Sequence, residues 1–269
     1  MSESPPQARL SAIAAMVHEP SPKMNEALRT FVDVQPIDLE RVRHQHAEYR
    51  RALERAGAEV VVLDVNIGHA DAVFIEDTAV VLDEIAVLAS MGAPSRRAEV
   101  DGVEAVLRRH RSDIVRIEAP ATLEGGDVLR VGRTLFVGAT GRTNAAGFEA
   151  LARIAGGHGY DVRRVSVHGC LHLKTACTAL PDGTMLVNAR WVDTRDLGER
   201  ALLHVADDEP DAANVVLIGE RVVMAAAHPR TAESIRSRGF DIDTVDISEF
   251  AKAEGSATCL SLVVQKPNG

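Results

Sequence analysis

The chain has 269 residues, 46% of them hydrophobic and 26% charged, with a formal net charge of -9. That balance argues against a nucleic-acid or anionic-membrane partner, and 3% aromatics leave little for base-stacking platforms. Three cysteines make no disulfide framework, no apolar run reaches membrane-helix length, and the start MSESPPQARL lacks a signal peptide's basic and apolar regions, so a reducing cytoplasm is the expected location.

Residues 1–9 are polar and Pro-rich and are expected to form a loose tail on one domain spanning 1–269. A short strand is expected over 13–17. Three prolines, Pro20, Pro22 and Pro36, mark the following loop. Leu39, Val42, Tyr49 and Leu53 share one face of a helix over 39–56. Strands are expected over 59–63, 72–75, 78–82 and 85–89, with Glu76-Asp77 between the second and third. A helix over 98–110 and a strand over 114–118 follow. Next comes a hairpin that turns at Gly132-Arg133, then a helix over 144–154 stopped by Gly156-Gly157. A strand over 162–167 precedes a hairpin of 171–180 and 184–187 across Pro181-Asp182-Gly183. Another pairs 215–218 with 221–225 across Gly219-Glu220. A helix over 229–238 and strands over 242–245 and 260–264 complete the chain.

A hairpin, a helix and a strand therefore recur, with hairpins starting near Phe74, Leu123, Leu171, Asn214 and Cys259. The spacing is roughly 40 to 50 residues, in the range of repeat architectures, though no sequence motif repeats cleanly. The rhythm predicts an α/β fold closed into a ring of about five ββαβ units, which protects strand edges and brings residues from every unit to one centre. A doubly wound open sheet competes. Short hairpins count against it, because parallel strands need long crossovers. No G-x-G-x-x-G follows a strand, and no P-loop or G-x-S-x-G is present.

The stretch Leu123-Glu124-Gly125-Gly126-Asp127-Val128-Leu129 sets two carboxylates around a Gly-Gly pair. Glycines permit dihedrals closed to other residues and close approach of a ligand, and paired acids suit a cation. Alone, the stretch also fits a β-turn with solvated acids. Cys259 lies between a Gly/Ser loop and an apolar strand, where a lone cysteine is commonly a small buried hydrophobe. His172 and Lys174 alternate with leucines as in a half-exposed strand. Cys170, His172 and Cys177 lack the four ligands and the C-x₂₋₄-C pair of a structural zinc site, so no metal is assigned.

Six stretches occur in a telling order: Phe74-Ile75-Glu76-Asp77, Gly92-Ala93-Pro94-Ser95-Arg96-Arg97-Ala98-Glu99, the acidic Gly-Gly stretch, Gly141-Arg142-Thr143-Asn144, Leu171-His172-Leu173-Lys174 and Thr258-Cys259. In this the chain resembles the dimethylarginine dimethylaminohydrolases of the arginine-deiminase-like guanidine-modifying superfamily. The resemblance implies a five-bladed α/β propeller with pseudo-fivefold symmetry, the pentein fold. It implies Cys259 as nucleophile, His172 as general acid/base, and Glu124 as the carboxylate that orients His172 and contacts a guanidinium. Asp71, Glu76 and Asp77 are implied as substrate-binding acids, although singly each is an ordinary loop residue. Arg96 and Arg142 are implied as clamps on the substrate α-carboxylate. A thiolate attacking a guanidinium carbon held by acids would give citrulline and an alkylamine without any metal or organic cofactor.

The lid of that family is poorly matched here. Leu28 aligns with its leucine, and Ala253 replaces a larger apolar residue near the substrate's α-amino group. The reaction type is therefore better supported than the substrate. An arginine deiminase, an amidinotransferase and a silent arginine-binding protein remain as alternatives. The expected partner is a small molecule, with homodimerisation left open.

Overall fold

The computed structural model describes residues 13–265, so the expected tail over 1–9 lies outside the described residues. The chain opens with β1 (Ile13–His18), α1 (Leu39–Arg55) and β2 (Ala58–Leu63). β3 (Ala79–Val81), β4 (Ala86–Leu88), α2 (Glu99–Leu107) and β5 (Ile114–Arg116) follow. Then come β6 (Val128–Val131), β7 (Thr134–Ala139), α3 (Ala145–Gly156) and β8 (Asp161–Ser166). A short helix α4 (Leu173–Ala176) leads to β9 (Cys177–Ala179), β10 (Met185–Val187) and β11 (Leu202–His204). The chain ends with β12 (Val215–Ile218), β13 (Arg221–Ala225), α5 (Pro229–Arg236), β14 (Ile242–Val245), α6 (Ser248–Ala251) and β15 (Leu262–Gln265).

These strands make five three-stranded sheets. In each, the first strand pairs antiparallel with the second, and the second pairs parallel with the third. A helix carries the parallel crossover, except before β11, where the 3₁₀ turn Thr194–Leu197 takes its place. Four of the five units are thus ββαβ, and the β9-β10-β11 unit follows the same path with a 3₁₀ turn for its helix. One of the four is built from both ends of the chain, with β15 pairing antiparallel to β1 from Ile13↔Gln265 to Met16↔Leu262. That pairing closes the ring. The result is the expected five-bladed propeller.

Burial explains why the units cohere. Each sheet is too small to bury its own apolar face, and the chain buries five clusters, each spanning two neighbouring units. One joins Met16 and Val264 of the terminal sheet to Leu88 and Val103. Others join Val87 to Val137, Phe136 to Cys177, Leu186 to Val222, and Val223 to Val17. The first strands β3, β6, β9, β12 and β15 line an axial cavity of about 220 Å³.

A helical turn precedes four of those first strands: Ile75–Thr78, Gly125–Asp127, α4 and Thr258–Leu260. Here the structure departs from the sequence reading. The strands expected over 72–75 and at the start of 171–180 are absent, and the strand expected over 260–264 starts at Leu262. The polar-apolar alternation around His172 resembles that of a strand, and a strand continued through 76–77 would send Glu76 and Asp77 to opposite faces. The helical turns let both be buried near the axis. The three-residue β11 and the single-turn α6 were too short to show as periodicity.

Candidate active site

Glu124 stands at the N-terminal edge of the turn Gly125–Asp127 and is completely buried. The Gly-Gly pair is required by close approach. A Cβ on Gly125 would lie 2.1 Å from the Glu76 carbonyl oxygen, and one on Gly126 would lie 2.6 Å from Asp77 Oδ1 and 2.7 Å from His172 Nδ1. Neither glycine has a positive φ, so the dihedral freedom expected from the sequence is not what these positions use. The second acid, Asp127, accepts hydrogen bonds from Thr140 Oγ1 (2.6 Å), Thr143 Oγ1 (2.7 Å) and the Leu173 amide (3.0 Å). It pins the segment that carries His172. The sequence marked Asp127 only as the second acid of its motif.

His172 Nε2 lies 2.8 Å from Glu124 Oε2, and Nδ1 lies 3.8 Å from Asp77 Oδ1. The other Glu124 oxygen accepts from the Gly92 amide at 3.0 Å, and Arg142 donates to both oxygens at 3.2 and 3.3 Å. Asp77 accepts from Arg96 (2.6 Å) and from the Gly126 amide (3.1 Å). Arg96 is itself buried and also binds Glu99 (2.9 Å) and the Phe74 carbonyl (2.8 Å). Asp77, Glu124 and His172 each bring a donor atom within 4.8 Å of the others. These three are thus knitted to one another and to two arginines.

The charges follow from this packing. Burial works against an imidazolium at His172, but Asp77, Asp127 and Glu124 outweigh it and raise its pKa to about 9. At neutral pH His172 is therefore charged. The same imidazolium and the nearby arginines offset burial and hold the carboxyls of Asp77 and Glu124 below their usual range. Burial, with Glu76 and Asp77 adding to it, pushes the Cys259 thiol up to about 12. At neutral pH the Cys259 side chain is therefore a neutral thiol.

Cys259 occupies the turn Thr258–Leu260, just ahead of β15. Thr258 fixes it: its amide donates to Asn214 Oδ1 (2.8 Å), and its hydroxyl donates to Glu76 (2.6 Å). Glu76 also pairs with Lys174 at 2.5 Å. Glu76, Lys174 and Thr258 line the axial cavity. They form a floor between that cavity and a smaller one on the far side. The smaller cavity, about 20 Å³, is lined by Cys259, His172, Asp77, Asp71, Arg96 and Arg142, together with Leu28, Phe74, Leu171, Ala253 and Glu254. It has room for about one water molecule.

Most residues singled out in the sequence therefore converge around Cys259. Two stand elsewhere. Glu76 does not line the Cys259 cavity and is spent on Lys174 and Thr258 beneath it. Glu124 lies one layer back, behind His172 and Arg142. Lys174 was noted only for its strand-like alternation, and Asn214 only as a hairpin start. Their roles depend on packing between units, which short-range sequence does not display.

The family model for eukaryotic N,N dimethylarginine dimethylhydrolase matches residues 15–188. The chain belongs to the dimethylarginine dimethylaminohydrolase family. A Streptomyces coelicolor N(G),N(G)-dimethylarginine dimethylaminohydrolase is 41% identical over 92% of this chain and 95% of its own length. The Pseudomonas aeruginosa protein of the same name is 33% identical over 84% of this chain and 89% of its own. A solved structure of a cysteine-to-serine mutant of the Pseudomonas aeruginosa enzyme, complexed with citrulline, superposes with a TM-score of 0.89 at 31% identity and covers 93% of this chain and 98% of that one. Among the described residues of this family member, no helix is long and apolar enough to cross a membrane.

Proposed function

We propose that this chain hydrolyses N-omega-methylated arginine to citrulline and an alkylamine, through a covalent intermediate on Cys259. The observation that carries the reading is the placement of a thiol, a charged histidine and a carboxylate-arginine ring around one small cavity. Names of the relatives and the citrulline complex support the substrate class.

The substrate guanidinium is a planar cation. Asp77 faces it across the cavity, and Asp71 and Arg142 line the wall toward the substrate's amino-acid end. Arg96 has its donors committed to Asp77, Glu99 and Phe74, so it acts on the α-carboxylate as a fixed positive wall, while the Arg142 guanidinium bonds only Glu124 among the described residues. Burial and then Glu76 and Asp77 hold the Cys259 thiol neutral; a cation bound beside it offsets those acids, so the thiol releases its proton to solvent and thiolate forms with substrate present. Sulfur attacks the guanidinium carbon, the C–N bond to the alkylamine breaks, and His172 gives its proton to the departing nitrogen. A water then attacks the S-alkylthiouronium carbon, His172 takes its proton, and the C–S bond breaks to release citrulline and restore Cys259. Glu124 keeps His172 oriented throughout and favours its charged form before the first step and after the second.

Citrulline formation from dimethylarginine, monomethylarginine and arginine, measured side by side, tests the reading. Methylated arginine should be turned over fastest, and Cys259→Ser should abolish turnover while melting like the parent. A parent active only on unmethylated arginine, or a Ser variant with near-normal citrulline output, refutes it.

A further inference from the structure

The cavity at Cys259 is far too small for an arginine, so the segment over it must lift. That segment is the loop from Leu28 to Phe31, and its attachments are few. The Leu28 amide donates to Asp71 Oδ1 at 3.0 Å. Arg29 Nε donates to the Lys252 carbonyl at 2.9 Å. The amides of Thr30 (2.9 Å) and Phe31 both donate to the Glu254 carboxylate. Leu28 and Phe31 are exposed, so apolar burial holds neither in place.

Glu254 is unusual in its backbone. It is the one non-glycine residue with a positive φ (61°) among the described residues. It closes α6 with the Gly255 amide bonded to the Phe250 carbonyl (2.9 Å) and its own amide bonded to that of Ala251 (3.1 Å). That is the helix-ending pattern whose left-handed position is normally glycine, because a Cβ is disfavoured there. A glycine is in fact present one residue later, where a Cβ would come within 2.3 Å of the Phe74 ring. The chain therefore places a glutamate where the backbone favours glycine. Only its side chain accounts for that choice, and the side chain is what the lid amides bind.

Building on the reading of Cys259 as the reactive residue, we propose that Glu254 is the latch of the active-site lid, a positioning residue that sets how readily substrate reaches Cys259. It lines the catalytic cavity one residue beyond Ala253. It also lines a neighbouring open cleft of about 430 Å³ with Phe31, Val32, Leu171 and Trp191. The carboxylate thus stands at the threshold between a closed chamber and an open one, and its two accepted hydrogen bonds are made to backbone, so any lid side chain leaves them intact.

The test reads lid opening without turnover. Substrate-free enzyme is alkylated with iodoacetamide, and modification of Cys259 is followed by peptide mass spectrometry, with buried Cys170 and Cys177 as internal controls. Glu254→Met keeps the bulk but has no acceptor, Glu254→Gln keeps an acceptor oxygen, and Glu254→Gly also relieves the backbone. Met and Gly variants should label Cys259 at least tenfold faster, Gln, which keeps an acceptor for only one of the two lid amides, should fall between them and the parent, and Gly should melt no lower than the parent. In steady state, Met should raise KM for dimethylarginine more than it lowers kcat. Labelling of the Met variant within twofold of the parent overturns the latch, as does a fall in kcat with KM unmoved. The labelling result stands whichever guanidine the enzyme prefers, so it fails separately from the substrate assignment.

Discussion

At the scale of single residues, the buried carboxylate of Glu124 controls the charge of the site. It contacts His172 at 2.8 Å and has no exposure to solvent. Glu124→Gln preserves shape but removes the negative charge that holds His172 in its imidazolium form. Losing a carboxylate that fixes a catalytic histidine costs on the order of 10⁴ in rate in a hydrolase triad, and a large fall in kcat is expected here with the fold retained. Steady-state kinetics beside a thermal melt checks it; turnover within about threefold of the parent, under roughly 1 kcal/mol of barrier, would return Glu124 to a mere turn residue. His172 itself makes stability pH-dependent. Its pKa is about 9 when folded and near 6.5 unfolded, so the folded state binds the proton more tightly. That stabilisation is complete below about pH 6.5 and disappears as pH rises through about 9, a change on the order of 3 kcal/mol. Denaturant titrations from pH 6 to 10, run in a Cys259→Ser background to remove the thiol's own titration, should show this decline. The decline should become shallower on adding His172→Gln, leaving the part above about pH 8.5 that comes from the buried thiols of Cys170 and Cys177, whose pKa burial pushes up to about 12. An equal slope with and without His172 would mean the imidazole is neutral.

At the scale of elements, the helical turns ahead of the first strands do the positioning, and the two glycines separate packing from chemistry. A Cβ on Gly125 meets the backbone of Glu76, which cannot move without shifting β3, whereas one on Gly126 meets the side chains of Asp77 and His172. Gly125→Ala should therefore lower stability by about 1–3 kcal/mol, the usual cost of overpacking. Gly126→Ala should instead lose activity by 100-fold or more at a smaller stability cost, because the site residues give way. Melts and kinetics on both variants decide it; matching losses of stability and activity in the two would contradict the distinction. The sequence showed the strands, the outer helices and the motif residues well, because Val-rich runs and capped helices such as α3, with Asn144 accepting from the Gly147 amide at 2.8 Å, signal themselves locally. It misread His172 as lying on a strand and left Glu76 in a plain connection between two strands, since a one-turn helix has no periodicity to reveal it. It also could not show that Glu76 faces Lys174 and away from Cys259, because that pair joins residues 98 apart in the chain.

At the scale of the molecule, the ring explains why one small site can draw on residues from 28 to 259. Each unit contributes an inner strand to the axis, and the five apolar clusters lie between units, so no unit is buried without its neighbours. Among the described residues, the chain's path around the ring starts and finishes inside the sheet β15-β1-β2, where the first and last strands meet antiparallel. If hydrogen bonding and packing hold that seam, and covalent continuity there is immaterial, the break should be movable. A circular permutant joining the two termini by a flexible linker, with new ends at the exposed Gly219-Glu220 turn between β12 and β13, keeps every strand pair and every site residue. It should fold, melt within about 5 °C of the parent, a difference of about 2–3 kcal/mol or less for a chain of this size, and retain turnover. New ends placed instead between Ser256 and Ala257 would free the turn that holds Cys259 from the segment ending in Glu254. That permutant should keep the propeller's circular-dichroism spectrum but lose citrulline formation. A first permutant that fails to fold would mean the ring depends on chain order as well as on contacts between its units.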